Sequence, residues 1–284
     1  DMLNEISNLD KLIAMALRED VGDGDHSTLA CIPSEALGKA KMVAKQPGIL
    51  CGAEVGQRVF RIVNPQLNVT LLKHDGDTLQ VGDMVMTVEG PAGSILTAER
   101  TALNFMQRLS GIATATNRMV RMLDGLHTRL LDTRKTTPNM RLLEKYAVKC
   151  GGGTNHRIGL YDMVMLKDNH VDFAGGIEQA IDRTRHYLAA NGKALKIEIE
   201  VRNLEELERV MQHGGVDRIM LDNFDIPTLR KAVERIGGKY ETEASGGITD
   251  ATLRPYAETG VDFISVGALT HHIKSLDLSL VSNF

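Results

Sequence analysis

The chain has 284 residues, of which 43% are hydrophobic and 25% are charged, as is usual for a folded globular protein. Its formal net charge of −4 argues against nucleic acid as the main partner. The apolar runs are too short for a transmembrane helix, and residues 1–20 lack the basic start of a signal peptide, so we expect neither.

The three cysteines, Cys31, Cys51 and Cys150, are far apart in the sequence and form no C-x-x-C pair. This number and spacing predict neither a disulfide framework nor a cysteine zinc site, and they favour the reducing cytoplasm. Cys150 precedes a glycine run and could be interpreted as a nucleophile. A buried, unreactive cysteine is the favoured interpretation.

The residue pattern of the first third of the chain predicts a mixture of helix and short strands. Apolar spacing predicts a helix over 9–18. Glycine-bounded runs predict strands at 40–44, 48–51, 69–72, 83–88 and 94–96. Thr97 is then expected to cap a long helix, so this part is of the α+β class.

From residue 128 onward, strands and helices alternate. Strands are predicted at 128–131, 163–166, 196–201, 218–221, 240–244 and 262–266. The helices between them are expected at 138–149 with Thr137 as cap, 177–190, 204–213, 227–236 and 249–259. This alternation predicts a parallel sheet, either doubly wound or closed into a barrel. Polar residues follow nearly every strand, which favours an α/β barrel, incomplete because fewer than eight strands are found.

Cations are concentrated between Arg129 and His170, where eight Lys or Arg residues stand against four Asp or Glu. Arg134 and Lys135 directly follow a predicted strand, and His156, Arg157 and Lys167 lie near other predicted strand ends. An isolated Arg-Lys pair would be interpreted as a solvated loop. Together, these residues favour a pocket for a small, strongly anionic ligand.

Two glycine-containing turns follow the last two strands of the predicted barrel. One carries Ser245, Gly246 and Gly247, and the other carries Val266, Gly267 and Ala268. Each could be an ordinary turn. Two in succession favour phosphate binding by backbone N–H groups, which barrels often place after their last two strands.

The strand at 196–201 carries two glutamates on one face. We expect Glu198 to pair with a lysine inside the barrel, because a buried carboxylate needs a cation. Glu200 lies at the mouth, and Asp222 ends the next strand. Oxygen ligands of this kind suit Mg²⁺ held jointly with substrate phosphates.

Taken together, these residues resemble the quinolinate phosphoribosyltransferase family. The resemblance covers nearly the whole chain and rests on ordered matches such as Thr97-Ala98-Glu99-Arg100, Asp132-Thr133-Arg134-Lys135-Thr136, Gly152-Gly153-x-Asn155-His156-Arg157, Lys167-Asp168-Asn169-His170, Glu198-x-Glu200-Val201, Leu221-Asp222-Asn223, Glu243-Ala244-Ser245-Gly246-Gly247 and Val266-Gly267-Ala268-Leu269-Thr270-His271.

The resemblance implies an α/β sandwich (α+β) domain over 1–112, an irregular open, TIM-like α/β barrel over 113–270, and a tail at 271–284 that packs on the first domain. The implied reaction joins quinolinate to phosphoribosyl pyrophosphate with Mg²⁺, releasing pyrophosphate, CO₂ and nicotinate mononucleotide, with no organic cofactor. It also implies a homodimer or larger assembly in which each active site borrows Arg100 from a partner chain.

The resemblance also implies a role for each matched residue. Lys135, Lys167, Glu200 and Asp222 are the expected catalytic residues, with Glu200 and Asp222 also the candidate metal ligands. The expected ligands of the quinolinate carboxylates are Arg100, Arg134, Lys135, His156 and Arg157. Lys167 is expected to bridge towards the pyrophosphate, and Thr133 is a further expected substrate-binding residue. Ser245, Gly246, Gly247, Val266, Gly267 and Ala268 are expected at the 5′-phosphate, and His271 beside a phosphate.

Three other interpretations were weighed. A relative with the same fold and another ring acceptor is disfavoured by the full cation set, and an unrelated phosphosugar barrel would not need that set. A non-catalytic binding protein would be expected to lose Lys135, Lys167 or Glu200, all of which are present.

Overall fold

The computed structural model describes residue 3 and residues 8–283, so the start of the predicted first domain and the end of the predicted tail lie outside the described residues. The described chain divides into two compact units that are discontinuous in sequence. The first unit comprises residues 1–117, 136–152 and 269–284, and the second comprises 118–135 and 153–268. The predicted boundary between residues 112 and 113 stays a prediction.

The first unit is built around a four-stranded antiparallel sheet. Its strands are β1 (Leu37–Ala44), β3 (Asn68–Leu71), β5 (Met84–Pro91) and β12 (Leu278–Asn283), in the order β12-β1-β5-β3, and β2 (Gly48–Ile49) pairs separately with β4 (Thr78–Leu79). The helices are α1 (Leu9–Val21), α2 (His26–Cys31), α3 (Ala53–Val63), most of α4 (Ala92–Arg121), α5 (Arg141–Cys150) and most of α11 (Ala268–His271).

The second unit contains a six-stranded parallel sheet with helices between its strands. The strands are β6 (Arg129–Leu131), β7 (Val164–Leu166), β8 (Ile197–Val201), β9 (Arg218–Asp222), β10 (Glu241–Ser245) and β11 (Phe263–Ser265). The helices are α6 (Asp168–Ala174), α7 (Ile177–Ala190), α8 (Leu204–His213), α9 (Ile226–Ile236) and α10 (Asp250–Ala257). The order β6-β11-β10-β9-β8-β7 leaves β6 and β7 at opposite edges, which gives the predicted open α/β barrel.

Local sequence explains where most of these helices begin. The Asn203 side chain accepts a hydrogen bond from the Glu206 N–H and caps α8, and Asp225 caps α9 through the Thr228 N–H. Central strand β9 is buried along nearly its whole length, as expected for a parallel strand covered on both faces.

Two predicted helix starts and one predicted strand are wrong. Residues 94–96 belong to α4, which begins at Ala92, and the Thr97 hydroxyl instead donates to Asp25 at 2.9 Å. Helix α5 begins at Arg141, so Thr137 is no cap; its N–H donates to Glu144. At Thr97 a contact distant in sequence prevailed over local cap propensity, and at Thr137 the contact is with Glu144 of the helix itself.

Six described elements were not predicted: α2, α3, α6, α11, β4 and β12. Strand β12 pairs antiparallel with β1, with Leu280 opposite Met42. Among the described residues, none of the helices combines the length and the hydropathy needed to cross a membrane.

Candidate active site

The carboxyl ends of the six parallel strands carry the residues of the second unit that the sequence predicts at the active site. Because parallel strands end at the same edge, these residues share one side of the sheet. They are Thr133, Arg134 and Lys135 after β6, Lys167 after β7, Glu200 near the end of β8, Asp222 at the end of β9, Ser245 with Gly246 and Gly247 at β10, and Val266 with Gly267 after β11.

Asp132 ties the loop after β6 to the segment that carries the second arginine. Its buried carboxylate accepts hydrogen bonds from Asn155 Nδ2 at 2.6 Å and from the His156 N–H at 2.7 Å. These bonds fix residues 155–157 against the end of β6. Asp132 therefore serves as the anchor that places Arg157 near Arg134.

Arg134 and Arg157 bring two positive charges together at this edge. Both are partly buried. Burial, followed by the charge of Arg134, lowers the pKa of the Arg157 guanidinium. Two adjacent guanidinium groups repel each other unless an anion joins them, so their proximity favours a ligand with more than one negative charge.

His156 lies in a buried charged cluster that it forms with Glu198, Glu243 and Arg218. Its Nε2 lies 2.8 Å from Glu243 Oε1 and 3.1 Å from Glu198 Oε2, and its Nδ1 accepts the Arg157 N–H at 2.7 Å. The ring therefore makes its contacts within the protein. Direct binding of substrate by His156 stays a prediction.

Arg218 supplies the fixed cation of the buried charged cluster. Its Nη1 lies 3.7 Å from Glu243 and 4.0 Å from Glu198, and its guanidinium stacks on the Phe263 ring. The expectation that a lysine pairs with Glu198 is therefore wrong. An arginine on the neighbouring strand and a histidine from a loop take that role, and both come from parts of the chain that spacing does not connect.

The buried charged cluster holds a proton tightly. Burial and the adjacent Glu243 charge raise the pKa of Glu198 to about 8. Burial opposes protonation of His156, but hydrogen bonds with Glu198 and Glu243 outweigh it and raise its pKa to about 9. Since the groups interact strongly, the proton belongs to the cluster rather than to one residue.

Glu200 and Asp222 form an acidic pair on neighbouring strands. Burial, and then the charge and hydrogen bond of Asp222, raise the pKa of Glu200 to about 7, while Lys167 opposes this shift. Two carboxyls that repel each other in this way form an oxygen donor set of the type that binds Mg²⁺. The residues present thus fit the expected metal.

The turns after β10 and β11 show why glycine is needed there. Gly246 and Gly247 have positive φ angles of 98° and 66°, and a Cβ on Gly246 would lie 2.3 Å from Asn223 Oδ1. A Cβ on Gly267 would lie 2.8 Å from Lys135 Cδ. The Lys135 side chain therefore crosses directly over the glycine of the second turn.

Comparison with known proteins identifies the family. The model of the quinolinate phosphoribosyl transferase N-terminal domain matches residues 25–110, and that of the C-terminal domain matches residues 112–281. The chain belongs to this family. It is therefore a phosphoribosyltransferase, and it resembles other members over almost its full length.

Among curated relatives, a rice protein named nicotinate-nucleotide pyrophosphorylase [carboxylating], chloroplastic, is 45% identical, with 96% of this chain and 77% of the relative covered. A Bacillus subtilis protein named probable nicotinate-nucleotide pyrophosphorylase [carboxylating] is 44% identical, covering 96% and 92%. The crystal structure of NadC from Streptococcus pyogenes superposes with a TM-score of 0.92 at 41% identity, covering 97% and 96%.

Two residues expected at the active site of this phosphoribosyltransferase belong to the first unit. Arg100 is an exposed residue of α4, about two turns from its start. His271 is the exposed last residue of α11. Their roles stay predictions.

Sequence reasoning assigned no role to four residues that organise the site: Asp132, Asn155, Arg218 and Glu243. Three of them, Asp132, Asn155 and Glu243, lie within the family motifs quoted above, and those motifs are the signal by which they could have been found. Glu243 is the middle residue of β10, where Thr242, Glu243 and Ala244 are all buried. For Arg218 no local signal is evident, because its partners come from β8 and β10.

Proposed function

We propose that this chain transfers the phosphoribosyl group of phosphoribosyl pyrophosphate to quinolinate with decarboxylation. The products are nicotinate mononucleotide, pyrophosphate and CO₂, in a step of de novo NAD biosynthesis. Family membership supports the reaction. The single observation that carries it is the pair of partly buried guanidinium groups, Arg134 and Arg157, on the sheet edge that also holds the acidic pair.

The acceptor half of the site is the cationic edge formed by β6 and the segment 155–157. Quinolinate carries two neighbouring carboxylates, and each guanidinium can grip one through two parallel hydrogen bonds. Asp132 holds the two segments together. Thr133 and Lys135 would complete this half, and the buried charged cluster would fix the segment from beneath through His156.

The phosphate half of the site is proposed at the two glycine turns. Ser245, Gly246 and Gly247 together with Val266, Gly267 and Ala268 would offer backbone N–H groups to the 5′-phosphate. Lys135 lies over Gly267 and would contact both substrates, and Lys167 would reach towards the pyrophosphate. His271 is proposed as a further phosphate neighbour.

The acidic pair is proposed to act at the ribose and its leaving group. Glu200 and Asp222 would hold the ribose hydroxyls or Mg²⁺, and their negative charge would offset the positive charge that develops at C1 as pyrophosphate departs. When bound, Mg²⁺ would neutralise charge on the pyrophosphate. Removing the positive charge of Lys135 or Lys167 would be expected to slow the same step.

The decarboxylation needs a positive environment and no protein nucleophile. As the bond to the carboxylate breaks, its electron pair stays on the ring carbon beside the pyridinium nitrogen, and that carbon then takes a proton. The cations on this edge, Arg134, Lys135 and Arg157, would stabilise the negative charge on the reacting carboxylate and ring.

The decisive experiment is incubation of the purified protein with carboxyl-labelled quinolinate, phosphoribosyl pyrophosphate and Mg²⁺, followed by measurement of labelled CO₂ and nicotinate mononucleotide. Equal amounts of both products are expected. Turnover of nicotinate or a pyrimidine in place of quinolinate would overturn the acceptor assignment. Lys135→Ala and Lys167→Ala serve as inactive controls with the same fold.

We also propose that the enzyme is a homodimer or larger homo-oligomer with shared active sites, and that it acts in the cytoplasm. The exposed position of Arg100 on α4 supports sharing, since a partner's anionic ligand could reach it. The reducing compartment is inferred from the cysteine usage of the sequence. Cell fractionation tests the location; a rice relative is named chloroplastic.

A further inference from the structure

Two cysteines that are far apart in the sequence meet within the first unit. Cys51 lies between β2 and α3, and Cys150 is the last residue of α5. Their Sγ atoms and a carboxylate oxygen of Asp75 all lie within 4.8 Å of one another. No pattern in the sequence pairs these cysteines, and only the packing of α5 brings them together.

The backbone around Cys51 is firmly held. Its N–H donates to Ser110 Oγ at 2.9 Å, and Ser110 Oγ donates back to its carbonyl at 3.0 Å. Cys51 itself has an exposed fraction of 0%. Cys150, by contrast, is partly exposed. The pair therefore has one buried thiol and one thiol that a small molecule can reach.

Asp75 is engaged elsewhere, which leaves the two thiols to face each other. Its Oδ1 accepts the Ala53 N–H at the start of α3 at 2.9 Å, and its Oδ2 accepts the Tyr146 hydroxyl at 2.5 Å. Both carboxylate oxygens thus cap and brace the surrounding elements. This arrangement favours thiol chemistry between the cysteines over a metal site built from all three residues.

We propose that Cys51 and Cys150 form a peroxide-oxidisable dithiol, with Cys150 as the attacking thiol and Cys51 as the resolving thiol. The site lies outside the residues assigned to phosphoribosyl transfer. The ligand class is a hydroperoxide, with hydrogen peroxide as the smallest example. A disulfide in the cytoplasm is uncommon unless it is transient, which fits a reversible modification.

The chemistry balances in two steps. The Cys150 thiolate attacks one oxygen of hydrogen peroxide, the O–O bond breaks, and the departing hydroxide takes a proton to leave water and a sulfenic acid on Cys150. The Cys51 sulfur then attacks the sulfenic sulfur, its own proton leaves with the hydroxyl as a second water, and the disulfide forms. One peroxide is reduced for each pair of thiols oxidised.

The environments of the two thiols support Cys150 as the attacking thiol and Cys51 as the resolving thiol. The hydrogen bond with Cys51 lowers the pKa of the Cys150 thiol, with further help from Tyr146 and Lys149, although burial and Asp75 oppose it. Burial raises the pKa of the Cys51 thiol. The more acidic, more accessible sulfur is the better first nucleophile.

The test is a count of free thiols in the denatured protein before and after exposure to hydrogen peroxide. The sequence contains three cysteines, so the reduced protein should give three thiols and the oxidised protein one. Dithiothreitol should restore all three. Peptide mapping without reduction should show a Cys51–Cys150 crosslink within one chain.

Variants separate this site from the exposed Cys31. Cys31→Ser should go from two thiols to none and form the same crosslink. Cys51→Ser should stop at a sulfenic acid on Cys150 that dimedone traps. If Cys51→Ser prevents folding, peptide mapping of the unaltered protein still tests the proposal.

Three outcomes would overturn the proposal. The first is that all three thiols of the folded protein survive a peroxide concentration that oxidises Cys31 in the denatured chain. Another is crosslinking between chains through Cys31 with Cys51 and Cys150 still reduced. The third is a stoichiometric zinc ion in the purified protein, found by elemental analysis and lost in Cys150→Ser, which would make the cluster a metal site instead.

Discussion

His156 Nε2 lies 2.8 Å from Glu243 Oε1, although the two residues are 87 positions apart in the sequence. Both are buried, and Glu198 lies 3.1 Å from the same imidazole nitrogen. The residue that precedes Arg157 is thereby fixed to the interior of the parallel sheet. The charge state of this buried cluster therefore bears on both stability and the placement of the acceptor site.

The first prediction is that the free energy of unfolding falls as the pH rises through the pKa values of the buried charged cluster. His156 has a pKa of about 9 in the folded protein, above the ordinary value of 6.5, so between these values the folded state holds more proton than the unfolded chain. Its stabilisation is complete below pH 6.5 and lost as pH rises through 9. Because protonation of Nδ1 gives up the hydrogen bond from the Arg157 N–H, the loss is smaller than the pKa shift by itself implies. Glu198, raised to about 8, acts in the same direction.

Urea unfolding between pH 6 and 9.5 measures this loss. In Glu243→Gln one of the two carboxylates that raise the His156 pKa is gone, so the stability curve should flatten across the same interval. The exposed Glu205→Gln variant on α8 is the control and should keep the original slope. Parallel curves for all three proteins would contradict the assignment of the proton to this cluster.

The second prediction concerns Gly267 and Lys135. In Gly267→Ala the new Cβ would lie 2.8 Å from Lys135 Cδ and push that side chain away. We expect kcat/KM for phosphoribosyl pyrophosphate to fall roughly 10- to 100-fold, because small displacements of a catalytic group are costly. Steady-state kinetics with each substrate varied in turn measure the effect.

A double-substitution cycle shows whether the Gly267 effect acts through Lys135. Because Lys135→Ala is inactive, the cycle is measured on the affinity for phosphoribosyl pyrophosphate, and in the Lys135→Ala background Gly267→Ala should change that affinity little, since the displaced group is already absent. An undiminished loss in that background would mean that Gly267 acts on its own, for example through its backbone N–H.

The third prediction is that the acidic pair lowers stability while supporting activity. Glu200 is raised to a pKa of about 7, so its ionised form at pH 8 is unfavourable beside Asp222. Glu200→Gln should raise the melting temperature at pH 8 in the absence of Mg²⁺, yet lower kcat roughly 100- to 1,000-fold. Differential scanning calorimetry and the CO₂ assay measure the two effects.

The stabilisation of Glu200→Gln should fade at pH 5, where the Glu200 carboxyl of the parent protein is protonated. Glu205→Gln again serves as the matched control, with unchanged activity. A melting temperature that falls at pH 8 would show that the acidic pair is held by favourable contacts rather than by mutual repulsion.

The fourth prediction concerns shared sites. Co-expression of Arg100→Ala with Arg134→Ala should restore about a quarter of full activity if dimers form at random and each site borrows Arg100. Half of the dimers would then be mixed, and one site in each would keep both arginines. Each variant alone should be inactive.

The control for shared sites is co-expression of Arg134→Ala with Lys135→Ala. Both residues follow β6 of the same chain, so no mixed dimer regains a complete site, and activity should stay absent. No restoration with Arg100→Ala would place Arg100 within its own chain, and restoration in this control would show that recovery of activity does not report a borrowed Arg100.

The amino-acid pattern predicts the six strands of the second unit, the helices α7 to α10 and the residues at the strand ends, but not α6. The periodicity of residues 177–190 and 204–213 predicted two helices at the observed bounds. Such elements are predictable because an apolar stripe and a cap act within a few residues. The ordered motifs at the strand ends were enough to indicate the family.

Only the tertiary structure decided which distant residues share a charge or a contact. Arg218 rather than a lysine meets Glu198, because β8 and β9 are adjacent and pair Glu198 with Arg218 in register. Likewise, Cys51 meets Cys150 because α5 packs near the start of α3. Burial and charge pairing across elements depend on packing, and no local pattern in the sequence encodes which elements become neighbours.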